Sequence, residues 1–178
     1  RLAQLAAYRQ ALDRCLADQP DAPAWPQVFG PLAQAVRVHA LPAPLLHDLI
    51  SAFEQDVHHT AVGHVYADSA ELLAYCRLSA NPVGRLLLHL YGIADAPSLV
   101  QSDAVCSALQ LINFWQDPSV DLPRGRHYVP EADARSHGLT LDELARRHDS
   151  PATQALLRDL CAWAGALMAE GAPLACRV

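Results

Sequence analysis

The sequence predicts an all-α fold. Ala and Leu recur at helical spacing almost throughout, whereas Val, Ile and Thr never alternate with polar residues over a length that marks a strand. At 178 residues, with 52% hydrophobic and 18% charged side chains, the chain has room for one domain with a real core, taken as residues 1–178. That composition excludes disordered, collagen-like and small disulfide-stapled classes.

Helices are expected at 2–17, 27–39, 43–56, 69–91, 98–117, 140–148 and 151–169. The first, RLAQLAAYRQALDR, is amphipathic and charged, unlike a signal peptide. Pro20, Pro23 and Pro26 mark the connector that follows it, and Pro42 and Pro44 open the third helix. Asp68 with Glu71, and Thr140 with Glu143, each place an acceptor at the N-cap and a carboxylate three residues later. Pro82 interrupts the fourth rod and predicts a kink between Ser79 and Pro82. Ser79, Ala80 and Gly84 leave that wall without bulk, which suits either close helix packing or a groove for an elongated ligand. Pro118, Pro123 and Pro130 bracket a loop.

All 13 basic residues are Arg, and 19 acidic residues leave a formal net charge of -6. Such a chain is a poor nucleic-acid binder on electrostatics. An anionic substrate would need local Arg clusters or a metal bridging its charge to the protein's carboxylates. The five cysteines, Cys15, Cys76, Cys106, Cys161 and Cys176, are widely spaced among apolar neighbours without a C-x-x-C pair, and read as reduced, buried and cytosolic. No apolar run approaches the ~18 residues of a spanning helix, so a cytoplasmic protein is expected, with peripheral contact at a membrane face left open.

The most informative segment is SDAVCSALQLINFWQDPSVD. Asp103, Gln110, Asn113 and Asp117 share one helical face, with Gln116 beside them, and the opposite side is apolar. The stripe is therefore expected to face an internal cavity. A buried carboxylate needs a counter-charge or a cation, and the nearest candidates in sequence are Arg124 and Arg126. Asp117 and Asp121, with the Asn113 carbonyl one turn earlier, are hard oxygen donors suited to Mg2+ shared with substrate phosphates. The same acids also suit a surface ion cluster with Arg124 and Arg126.

Elsewhere, His58, His59 and His64 invite a Zn2+ reading, but four ligands are usual and no cysteine is near, so mobile loop histidines are expected. Trp25, Trp115 and Trp163 read as core or cavity-wall residues, and no serine has a G-x-S-x-G context.

YCRLSANPVGRLLLHLYG followed by ALQLINFWQD, then D and RGRHYVP, resembles the squalene and phytoene synthase family, and within it the bacterial hopanoid-pathway branch of hydroxysqualene synthases. The resemblance covers essentially the whole chain and implies a helical bundle of the isoprenoid synthase type. It implies that Asn113, Asp117 and Asp121 form the second aspartate-rich motif and hold Mg2+ on the substrate diphosphate. Gln116, Arg126 and Tyr128 would lie near the diphosphate end, Tyr66 would bind substrate, and Tyr75, Ser79, Ala80, Val83 and Gly84 would line a prenyl channel beside the kink. The implied activity is conversion of presqualene diphosphate to hydroxysqualene by ionisation and water capture. The family also offers head-to-head joining of two prenyl diphosphates such as farnesyl diphosphate, or a non-catalytic relative.

Family members carry an earlier aspartate-rich motif upstream of the segment resembling RLAQLAAYRQALD and continue past GAPLACRV. The resemblance therefore marks this chain as truncated at both ends and predicts that it does not catalyse the reaction alone. Helix faces left without neighbours predict a homodimer. Val65 stands where the family usually places Arg before the tyrosine, and Pro118 directly after Asp117 should loosen the turn that carries Asp121.

Overall fold

The structure is a computed structural model that describes residues 1–19, 24–116, 118–146 and 149–178. Pro20 and Pro23 of the expected connector, Asp117, and residues 147 and 148 at the end of an expected helix lie outside the described residues. The fold is all-α as predicted, and the described residues contain no strand, only an isolated bridge between Val65 and His127.

Helices α1 (Leu2–Leu16), α2 (Pro26–His39) and α3 (Ala43–Val62) pack around Ala11, Leu12, Phe29 and Ile50. Helices α4 (Ser69–Ser79), α5 (Asn81–Leu90), α6 (Ala96–Gln116) and α10 (Pro151–Gly171) build the larger core on Leu72, Cys76, Leu111, Leu156 and Leu160. Helix α6 is the central rod, packed on α4, α5 and most extensively α10, while α3 ties the two cores by touching α1, α4 and α5. Between α6 and α10 run the short helices α7 (Pro118–Asp121), α8 (Glu131–Ser136) and α9 (Leu141–Ala145).

The helix starts follow the sequence signals. Thr140 and Glu143 form the full reciprocal capping box of α9. At α4 only half of it forms: the Asp68 side chain accepts from Glu71 N, but the Glu71 carboxylate takes the Ala67 N–H and His64 instead. The kink is a full break. Ala80 leaves helical geometry at φ −123, and Pro82, which has no N–H to offer, sits in the first turn of α5. Gly84 belongs to close packing, since a Cβ there would run into Ser102 Oγ and Cys106 Sγ of α6.

Three expectations are corrected. Helix α3 runs six residues past 56 to Val62 and ends at Gly63 in the left-handed region, because nothing before that glycine breaks it. His58 and His59 are thus helical, and not part of a mobile loop. Helix α8 is too short for its periodicity to register, but Pro130 sets its start and Glu131 and Asp133 suit its first turn. Among the cysteines, Cys76 is buried and Cys15 and Cys106 half-buried, but Cys161 and Cys176 are exposed on the outer side of the last helical segments. Among the described residues, no helix is long and apolar enough to cross a membrane.

Candidate functional site

Trp115 fixes the C-terminal end of α6 to the following loop by donating from Nε1 to the Tyr128 carbonyl at 3.0 Å, and it packs on Trp163 of α10. That anchor lays the Tyr128 ring on Phe114, with centroids 3.8 Å apart and planes 7° from parallel. Tyr66 and Tyr75 stand against the same pair at about ring-contact distance, making a four-ring aromatic floor, and all four rings are buried. Each such contact is worth about 0.5–1.5 kcal/mol beyond area burial, so the floor is rigid.

Above it the chain places polar groups. Leu122–Arg124 forms a single 3-10 turn closed by Gly125 at φ 73, a conformation natural to glycine, so the two arginines diverge. Arg124 is exposed, whereas Arg126 points inward and donates to Asp56 of α3 at 2.7 Å. A second guanidinium nitrogen lies 3.7 Å from Asp121, and Tyr128 Oη donates to the other Asp56 oxygen at 3.2 Å. Asp56, Tyr75, Gln110, Asn113, Phe114, Asp121, Arg126 and Tyr128 line one cleft of about 240 Å3. Burial works against the Arg126 charge, but Asp56, Tyr128 and Asp121 outweigh it and hold the guanidinium above its ordinary pKa. Burial pushes the Tyr75 hydroxyl up to about 12, with Asp56 adding to it, and raises Tyr66 and Tyr128 further. The three phenols are neutral hydrogen-bonding groups at physiological pH.

Asp121 and Arg126, with Phe114 and Tyr128, also border an apolar slot of about 360 Å3 walled by Leu122, Val129, Leu141, Leu144, Leu156 and Leu157. Asp56 and Asp121 stand against one Arg126, so an amphiphile with a hydrocarbon tail and an anionic head matches this adjacency when a cation offsets the second carboxylate.

The expected site residues are only partly gathered. Tyr66, Tyr75, Asn113, Asp121, Arg126 and Tyr128 converge on the floor and cleft. Gln116 is exposed at the end of α6, Asp117 lies outside the described residues, and Ser79, Ala80, Val83 and Gly84 lie by the α4–α5 break, away from the apolar slot. The polar stripe of α6 faces an open cleft instead of an internal cavity: Asn113 is exposed, and Leu109 and Ile112 of the supposedly buried side are 55% and 44% exposed. Asp103 takes no part, because Arg85 of α5 grips it in a two-point pair at 2.9 and 2.6 Å. Asp56 was missed by sequence reading. It stands at the expected end of a helix with no Arg nearby in sequence, and its partner Arg126, seventy residues on, reads as a counter-charge for Asp117 and Asp121 instead.

Known proteins share this sequence pattern and fold. The squalene/phytoene synthase family profile matches residues 1–178. The hydroxysqualene synthase of Rhodopseudomonas palustris is 32% identical over 148 residues, covering 83% of this chain and 49% of the relative. The phytoene synthase of Mycobacterium tuberculosis is 28% identical over 151 residues, covering 84% of this chain and 47% of the relative. The crystal structure of squalene synthase HpnC from Alicyclobacillus acidocaldarius superposes with a TM-score of 0.90 at 36% identity, over 100% of this chain and 65% of that one. The chain thus spans about half the length of the curated relatives it matches. With a profile match over its whole length and a helical fold shared with HpnC, the chain belongs to the squalene/phytoene synthase family.

Proposed function

We propose that this chain carries the diphosphate end of a prenyl-diphosphate site and belongs to an enzyme that converts presqualene diphosphate to hydroxysqualene. The observation that supports this is the single cleft in which Arg126, Asp121 and Asn113 meet above an aromatic floor, with an apolar slot bordered by the same Asp121 and Arg126. Arg126 would hold the diphosphate, with Gln116 and Tyr128 near it, and Tyr66 and Tyr75 would face the substrate's reacting end. When the carbon–oxygen bond to the diphosphate breaks, the electron pair leaves with the diphosphate. A water oxygen then bonds to the carbocation and releases one proton. The neutral phenols and the Phe114 face offer electron-rich surfaces to that cation without a nucleophile that would trap it. Hydrocarbon walls limit water to what the polar edge admits.

The donors present fit Mg2+. Asn113 and Asp121 are oxygen ligands on one cleft, and Asp121 is engaged only loosely by Arg126 at 3.7 Å. Mg2+ keeps several waters and shares substrate phosphate oxygens, so it asks for few protein donors. Asn113, Asp117 and Asp121 would hold it, and it would neutralise charge on the leaving diphosphate.

A second reading, joining of two prenyl diphosphates, has its own support: another apolar hollow of about 430 Å3 lies between α1, α2 and α3, where Phe53 brings it beside the cleft. Calorimetric titration with presqualene and farnesyl diphosphates, with and without Mg2+, tests both. Mg2+-dependent binding of presqualene diphosphate that weakens in Asp121→Asn and Arg126→Gln is expected, preference for farnesyl diphosphate selects the second reading, and binding of neither overturns both.

A further inference from the structure

Two buried polar atoms near the cleft, His59 Nδ1 and Arg126 Nε, have no hydrogen-bond partner among the described residues. Both residues line the same small hollow between α3 and the loop after α7, with Asp56, Thr60, His64, Gly125, His127 and Tyr128 around it. A buried donor or acceptor left unpaired costs about 1–3 kcal/mol, so two of them on residues that line one hollow need an explanation. Arg126 Nε can only donate. Nδ1 of a neutral imidazole protonated on its other nitrogen can only accept, so the two are complementary but do not meet directly.

The hollow measures about 10 Å3, the scale of a single water. We propose that it is a built site for one structural water, which accepts from Arg126 Nε–H and donates to His59 Nδ1, with Asp56 and Thr60 within the lining for its remaining hydrogen bond. His59 is thereby a positioning residue for Arg126. Two guanidinium nitrogens are already directed at Asp56 and Asp121. The water supplies the third restraint, so that the plane of the group is set before any anion arrives.

His59 is suited to the part. Its ring lies over His64, with centroids 3.8 Å apart, and edge-on to Tyr66 of the aromatic floor, and His64 is itself held by Glu71 at 3.0 Å. Burial, reinforced by the neighbouring His64, lowers its pKa and keeps the ring neutral, so Nδ1 retains its lone pair. This stack fixes the ring without using Nδ1.

The positioning role rests on Arg126 being the anion contact proposed above, whereas the water site rests on the hollow alone. The test therefore has two arms. A crystal structure of this chain should show an ordered water within about 3.2 Å of both nitrogens. Density without it, or Arg126 Nε donating to a protein atom instead, overturns the proposal. In the second arm, inorganic pyrophosphate with Mg2+ is titrated into wild type, His59→Leu and His59→Gln, each checked for an unchanged far-ultraviolet helix signal. His59→Leu should bind about fivefold more weakly, the worth of one hydrogen bond, and His59→Gln, which keeps an acceptor, should stay within about twofold of wild type. Equal losses in both variants, or none in either, overturn the positioning role. If wild type binds no pyrophosphate, the diphosphate reading of the cleft falls and the density alone decides the water site, including when a variant does not fold.

Discussion

Arg126 donates to Asp56 at 2.7 Å across seventy residues of sequence, and Tyr128 donates to the second oxygen of the same carboxylate at 3.2 Å. One side chain of α3 thus fixes both the cation of the cleft and one ring of its floor, although nothing local to α3 requires an acid there.

Removing the charge of Asp56 should loosen both. Asp56→Asn is expected to lower unfolding free energy by about 1–3 kcal/mol in a urea titration, because Arg126 keeps its partly buried charge and loses its nearest counter-ion. Asp103→Asn removes a comparable ion pair with Arg85 that lies outside the cleft. It should cost stability but leave pyrophosphate binding unchanged, and a loss of binding there would disprove the separation of the two pairs.

The two tight glycines should differ in tolerance. A Cβ at Gly171 would stand 2.6 Å from the Gln101 carbonyl of α6, a backbone atom, whereas one at Gly84 meets only the ends of the Ser102 and Cys106 side chains. Side chains rotate and a helix backbone does not, so Gly171→Ala should lower the melting temperature more, with a cost of about 1–3 kcal/mol. The reverse order in thermal melts would contradict the close approach of α10 to α6.

Ala40 ends α2 at φ 48, in the left-handed region that costs an L-residue about 1–2 kcal/mol. Ala40→Gly relieves it and gives back about 0.4–1 kcal/mol in unfolded-chain entropy. A net gain of about 0.5 kcal/mol is expected in chemical unfolding, and a clear loss would show that the cap is unstrained.

Stability should also depend on His59. Burial first, then His64 and His58, hold its folded pKa below the ordinary value of 6.5, against the opposing charges of Glu71 and Asp56. The unfolded chain therefore binds the proton more readily. The contribution is intact above about pH 6.5 and declines as pH falls through that value. His137 acts in the opposite sense: its pKa is raised, chiefly by the Asp133 carbonyl and then by Asp159, so its contribution is lost as pH rises through its folded value. Comparing wild type with His59→Leu isolates the first effect, and the variant should lose less stability than wild type between pH 7 and pH 5.5.

The local features were legible because their causes lie within about four residues along the chain. Asp68 and Thr140 begin helices and Pro82 ends one rod and opens another, each through a dihedral preference or a hydrogen bond close in sequence. Of the cleft residues, Asn113, Asp121 and Arg126 were legible in the spacing of one short span, whereas Tyr128 entered only through the family resemblance.

What the sequence determined by itself was the helical class, the helix starts and the stretch that carries the charge. Only the tertiary structure decided that Asp56 completes the cleft, that Arg85 claims Asp103, that Gly84 serves packing, and that the apolar slot lies between the loop after α7 and helices α9 and α10. Periodicity records which face of a helix is greasy but not which neighbour covers it, so Leu109 and Ile112 read as buried and stand exposed. An ion pair between distant helices forms when packing sets their distance, and that distance is a property of the assembled core.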